Sequence, residues 1–296
     1  MPAPTWPGIV ALLGRAGELR RPWVRLIFMV ILFIAYSGVT NMLNTAVAGV
    51  PVLALAVGLA GAGAALWMYR KAVVVTENRP ATELKPAVAK SGLRTGALIG
   101  LLLFTVTIAI IAVFGGYRIV GWGSPAAAVT AIGVMACVAV TEEILFRGIV
   151  FRLVEEMAGS KAALAFSAIL FGGLHLINPQ ATLVGALAIA IEAGLMLGAA
   201  YLVGRSLWLP IGLHFGWNLA EGGIFATTVS GSHAGDTGLF HSALSGPAVL
   251  TGGSFGPEGS IVAVLACAVP TLYFLRQARR RGNLRSRKVA VLTPTA

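Results

Sequence analysis

Glu142 and Glu143 stand side by side in Thr141-Glu142-Glu143-Ile144-Leu145-Phe146-Arg147, inside a long apolar run. A charge near the centre of a bilayer costs roughly 2.5–3.5 kcal/mol on insertion scales, so an acid there points to a function. Glu143 and Arg147 are four residues apart with the acid N-terminal, the better orientation for a helical ion pair. Glu142 is offset by about 100° around the helix and can face elsewhere. The spacing therefore predicts a buried Glu143–Arg147 pair and a Glu142 that faces a site, although the two glutamates could exchange roles. A carboxylate in a water-poor site is a candidate general base.

Other polar groups lie in the apolar runs that follow. His175 comes four residues after Phe171 and is followed by Asn178. Glu192 sits in the next run, and the one after it holds His214, Asn218 and Glu221. His214 and Asn218 are i, i+4 and share a helix face. Amide hydrolysis needs an activated water and donors aimed at the developing oxyanion, and an imidazole and a side-chain amide supply such donors. No serine or cysteine nucleophile accompanies these histidines at helical spacing. Cys137 and Cys267 both fall inside apolar runs, which argues for small buried residues and against a disulfide framework or a cysteine zinc site.

The elements that must carry these groups are membrane helices. Of the 296 residues, 57% are hydrophobic and only 11% charged, against about 25% charged in soluble domains. Mean hydropathy is +0.86. The runs are continuously apolar, which excludes an outer-membrane barrel. Eight spans are expected, over about 24–40, 46–68, 95–115, 125–156, 161–177, 181–204, 207–227 and 259–275. Ala46-Val47-Ala48 resembles a cleavage site, but a second span follows at once and favours a retained helix. Gly115, Gly116, Gly121 and Gly123 break the chain around Arg118, and 228–258 reads as one irregular outer loop. In that loop His233, Asp236 and His241 are expected to be solvated, and Gly256-Pro257-Glu258-Gly259 to mark a turn and no more.

Net charge is +11. Eight spans put twenty Lys and Arg on one side, Arg118 alone on the other and Arg147 within a span. The positive-inside rule then places both termini in the cytoplasm, in a multi-pass protein of the cell membrane. The basic ends read as anchors for the lipid bilayer, and no folded element stands beside the basic tail to read nucleic acid. Depth follows from the 1.5 Å rise per residue. Glu142, His175, Glu192 and Asn218 each lie roughly 20 Å from a cytoplasmic helix end, and His214 roughly 14 Å. Four helices thus bring polar groups to similar depth, as a shared polar chamber requires.

Glu-Glu-x-x-x-Arg at 142–147, Phe-x-x-x-His at 171–175 and His-x-x-x-Asn at 214–218, on successive membrane helices, resemble the CPBP family. These are the type II CAAX prenyl endopeptidases and their bacterial relatives, also called the Abi family. Trp208-Leu209-Pro210-Ile211-Gly212 also fits bacterial members. The resemblance covers about 125–220. It implies an all-α polytopic bundle that hydrolyses a peptide bond of a membrane-associated peptide or protein. Carried onto this chain, it makes Glu142 the base, lets His175 bind or polarise water, and gives His214 and Asn218 the oxyanion. Glu143 completes the candidate catalytic set, Arg147 supports it, and Glu192 and Asn178 are candidates for backing it. Metal use stays open, with Glu142, His175 and His214 as candidate ligands for a divalent ion such as zinc.

The expected division is 1–120 for the N-terminal helices with a basic cytoplasmic loop, 121–227 for the catalytic core, and 228–296 for the outer loop, last span and basic tail. Two rivals stand beside the endopeptidase. One is a bacteriocin-immunity or scaffold protein of the same fold. The other is a proton-coupled transporter, since intramembrane Glu and His also build proton relays; no matched half-chain repeats accompany them.

Overall fold

The computed structural model describes residues 21–232 and 238–286. His233 and Asp236 fall outside these residues. Proline opens three of the long helices, where its missing N–H costs nothing: α1 (Pro22–Val47), α2 (Pro51–Glu77) and α4 (Pro125–Ala158). Between them lies α3 (Ala89–Val113), preceded by two short 3-10 turns. Next come α5 (Ser160–Ile177) and α6 (Leu183–Gly204), and then α7, which is α-helical over Trp208–Asn218 and continues as a π turn over Leu219–Ile224. The last is α8 (Ile261–Arg280). Hydroxyl caps open α4, α6 and α8, where Ser124, Thr182 and Ser260 accept from the backbone N–H three residues on.

Seven of these eight helices are long and apolar enough to cross a membrane. The shorter α7 is almost entirely buried among the others. The outside of the bundle is apolar: Ile31 and Met42 on α1, Leu102 on α3 and Val269 on α8 are all largely exposed. Such a surface needs lipid around it, and the molecule is a multi-pass membrane helix bundle. With lipid outside, the hydrophobic effect does not hold the helices together, and close backbone approach takes its place. A Cβ on Gly96 or Gly100 of α3 would lie 2.3 or 2.1 Å from a carbonyl oxygen of α7, and one on Gly212 or Gly216 of α7 would meet α3 as closely. Gly58 of α2 and Gly133 of α4 cross in the same way. Alanine at these points would force α7 and α4 outward, and those two helices carry the acids and His214.

The loops between helices are more ordered than the glycine pattern suggests. Residues Tyr117–Trp122 form β1 and Phe240–Leu244 form β2, paired antiparallel with a bulge between Ile119 and Gly121. The 228–258 segment is therefore not one irregular loop. It holds β2, a single helical turn at Ala248–Thr251 and two 3-10 turns. His241 is exposed on β2.

An ionic network ties the opposite end of the bundle. Arg25 at the start of α1 pairs with Glu156 at 2.8 Å, and Arg152 pairs with Glu77. Arg79 reaches Glu77 at 2.7 Å and Glu83 at 3.0 Å, and Tyr69 donates to Glu83. Arg205 pairs with Glu155. The start of α1 and the ends of α2, α4 and α6 thus meet at one basic end, so the helices alternate in direction. Burial pushes the Glu83 carboxyl up, but hydrogen bonds from Arg79 and Tyr69 outweigh it and hold the group below the ordinary glutamate value. A carboxyl lowered on folding contributes stability that is complete above its unfolded value and is lost as pH falls through its folded one. Thermal midpoints in detergent should therefore show the wild type ahead of Glu83→Gln at neutral pH, with the gap closing on acidification. Parallel pH curves would show that Glu83 is not the group responsible.

Candidate active site

α4 is regular up to Glu143 and then widens into a π turn over Ile144–Phe151. Single π turns inside α-helices are frequent at functional sites. The two acids at this junction have different surroundings. Glu143 is wholly buried, and its Oε1 takes Arg147 Nη1 at 2.7 Å and His214 Nδ1 at 3.0 Å. The Glu142 side chain is 30% exposed, and its Oε2 lies 3.9 Å from His214 Nε2. Glu142 lines an open cleft of about 480 Å³ between α1, α4 and α5, which His175 and Asn178 also line.

Both terminal nitrogens of Arg147 are held. Its Nη2 donates to the Ala193 and Gly194 carbonyls at 3.3 and 3.1 Å, in the π turn of α6. Its guanidinium carbon stands 4.9 Å from the Phe171 ring centre. Phe171, the first residue of the Phe-x-x-x-His motif, is a hub. Its carbonyl accepts from His175 Nδ1 at 2.7 Å, and its ring lies 4.8 Å from the His175 ring and 6.1 Å from that of His214. The four-residue spacing from Phe171 to His175 is thus a hydrogen bond that fixes the imidazole.

Asn218 does not line the open cleft. It faces a small inner cavity of about 10 Å³, room for about one water, with His214, Glu192, Ser230 and Glu258. Glu192 is buried there and accepts from Cys267 Sγ at 3.3 Å. Asn178 donates to the Ser230 carbonyl at 2.7 Å. Glu258 does more than mark a turn. It is 2% exposed and accepts from Trp217 Nε1 at 2.7 Å and Ser230 Oγ at 2.6 Å. It reaches the bundle because the 3-10 turn Pro257–Gly259 packs against α6 and α8. Glu221 is wholly buried, with neither oxygen hydrogen-bonded among the described residues. A lone acid just before an apolar run was the only sequence signal for Glu258.

Residues 123–220 match the family model of the type II CAAX prenyl endopeptidase Rce1-like proteins. This stretch of the chain is similar to that family. No curated protein and no solved structure matches it. The matched stretch takes in α4 to α7 as far as Ala220, with Glu142, Glu143, Arg147, Phe171, His175, His214 and Asn218, while α1, α2, α3 and α8 lie outside it.

The donor chemistry of the core bears on metal binding. His175 gives its Nδ1–H to a carbonyl and His214 its own to a carboxylate, outer partners of the kind that metal-bound histidines also have. Even so, no three His, Cys, Asp or Glu side chains among the described residues converge as ligands. Glu142, His175 and His214 as placed do not make a metal site.

Proposed function

We propose that the chain is an intramembrane endopeptidase that uses a Glu142-activated water to cut a membrane-associated peptide. The observation that carries this reading is the contrast between adjacent acids. Glu143 is closed off by Arg147 and His214, and Glu142 faces an open cleft within reach of His214.

Charge counting gives His214 its role. Glu142, Glu143 and Arg147 sum to one negative charge in a site with little water. An imidazolium at His214 balances it and presents Nε2–H towards the cleft while Nδ1–H serves Glu143. A water in the cleft, steered by the free Nε2 of His175, gives a proton to Glu142, and its oxygen attacks the scissile carbonyl carbon. The oxyanion accepts from His214 Nε2–H. Asn218, on the same face of α7, supports a carbonyl that reaches towards the inner cavity. Glu142 then returns its proton to the amide nitrogen, the C–N bond breaks, and a carboxylic acid and an amine leave, one proton then passing from the acid to the amine to give carboxylate and ammonium. The basic end is assigned to the cytoplasm, against anionic headgroups, which puts both termini there.

The test compares membrane peptides in cells carrying wild-type or Glu142→Gln protein. One or more intact peptides should accumulate in the variant, with their fragments seen only in the wild type. Identical peptide profiles would sink the assignment. The second reading, a proton-coupled transporter, draws on the buried acids Glu192, Glu221 and Glu258. It requires proton flux in liposomes that these acids control and that proceeds without cleavage.

A further inference from the structure

The first helix carries a polar face that neither the hydrolytic chemistry nor the family match uses. α1 is apolar through its first half, and then Ser37, Thr40, Asn41 and Asn44 line the cleft opposite Glu142. Polar side chains are costly in a span, so each needs a partner or a purpose. Two have partners in their own helix. Ser37 Oγ donates to the Phe33 carbonyl at 2.8 Å, and Thr40 Oγ1 to the Tyr36 carbonyl at 3.1 Å. The asparagines differ. Asn41 is exposed to the cleft, and Asn44 is only 6% exposed with an Oδ1 that is buried and has no hydrogen-bond partner among the described residues. An asparagine that joins membrane helices does so by a hydrogen bond across them. Asn44 Oδ1 makes none.

An extended peptide in an apolar site has the complementary need. Hydrolysis requires the scissile segment to leave the helical state, and its freed N–H and C=O groups cannot find water in the bilayer core. A side-chain amide offers both a donor and an acceptor to such a backbone. Asn41 and Asn44 are i, i+3 on one face. Ser37 to Asn44 spans about 10 Å of helix, the length of about three extended residues.

We infer that Asn41 and Asn44 form a peptide-binding wall, their amides pairing with the main chain of an extended substrate whose scissile carbonyl lies against Glu142. This rests on the endopeptidase reading and deepens it. The ligand recognised is unfolded peptide backbone, independent of side-chain sequence, and the residues that recognise it lie outside the matched core.

The experiment uses the full chain in liposomes, in a Glu142→Gln, Cys137→Ala background that is inactive and lacks the cleft thiol. The probe is a pool of Lys-flanked synthetic membrane peptides, each with one cysteine in a randomised central stretch. Disulfide trapping by Asn41→Cys should exceed trapping by Leu43→Cys, which lies off the cleft. Adding Asn44→Leu should cut it by about tenfold, the effect of one lost hydrogen bond in a desolvated site. Equal trapping at 41 and 43, no trapping at all, or indifference to Asn44→Leu overturns the proposal. Asn44→Leu alone should leave the thermal midpoint unchanged or raise it, because it removes an unpaired buried oxygen; a marked fall would make Asn44 structural and also overturn it. Failure of the two readings can be told apart. Specific trapping by a chain that cleaves nothing leaves the wall standing and removes the endopeptidase, whereas cleavage with KM unchanged by Asn41→Leu and Asn44→Leu removes the wall and keeps the chemistry.

Discussion

Glu142→Gln is expected to lower the rate of peptide cleavage by about 10²–10⁴-fold, the range for losing a general base. The substitution keeps the size and hydrogen-bonding reach of the side chain and removes its proton affinity. The loss should therefore fall on kcat, with KM little changed, as for an interaction made only on the way to the transition state. Stability should not fall. Glu142 Oε2 is buried and has no hydrogen-bond partner among the described residues, so the amide loses no bond there. The measurement is initial rates on a cleaved peptide, with thermal unfolding of both proteins in the same detergent. Full activity in Glu142→Gln would remove the assignment of the base. A low rate that only tracks a lower midpoint would turn Glu142 into a structural residue. The neighbouring acid serves as the internal control: Glu143→Gln disturbs Arg147 and His214 together, so it should lose both stability and rate.

How much of this arrangement is legible in the chain itself depends on the kind of signal. Helix spacing carries local pairs, and so the Glu143–Arg147 ion pair could be read from two letters four apart. Apolar run length carries the helices, which is why the order of the eight elements and the family pattern could be read before any coordinates. The facing of those helices could not. In a membrane both lipid and protein interior are apolar, so hydrophobic periodicity no longer separates inside from outside. That is why depth matching put Asn218 and Glu192 in one chamber with Glu142, whereas the structure sets them across His214 in an inner cavity. Rise per residue measures height along a helix and says nothing of azimuth, and the π turns in α4, α6 and α7 shift the azimuth further. Glu258 and the β1–β2 pairing were hidden for a different reason. The strand pairing joins segments more than a hundred residues apart, as Tyr117 with Leu244, Glu258 reaches Trp217 and Ser230 across 41 and 28 residues, and glycine-rich composition reads as loop in either case.

Arg147→Met should be the most destabilising single change in the core, by about 3–5 kcal/mol, the usual cost of leaving a buried charge without its partner. Methionine fills much of the same volume, so the loss is electrostatic rather than a cavity. Glu143 would keep only His214 as a donor, and the Ala193 and Gly194 carbonyls would lose theirs in the π turn of α6. The Phe171 ring would lose the cation it packs against. A double-mutant cycle separates these effects. If the charge pair dominates, adding Glu143→Gln to Arg147→Met should recover much of the loss, because a neutral amide can stay buried beside methionine. If the α6 carbonyls dominate, the double variant should be no better than the single one. Folding and chemistry then part company in the rescued double variant. It restores packing, but it withdraws one negative and one positive charge and leaves His214 without the carboxylate that orients its Nδ1–H. The midpoint should return towards wild type while cleavage stays low. Recovery of both together would mean that Glu143 and Arg147 only hold the helices in place, and that Glu142 alone sets the protonation of His214.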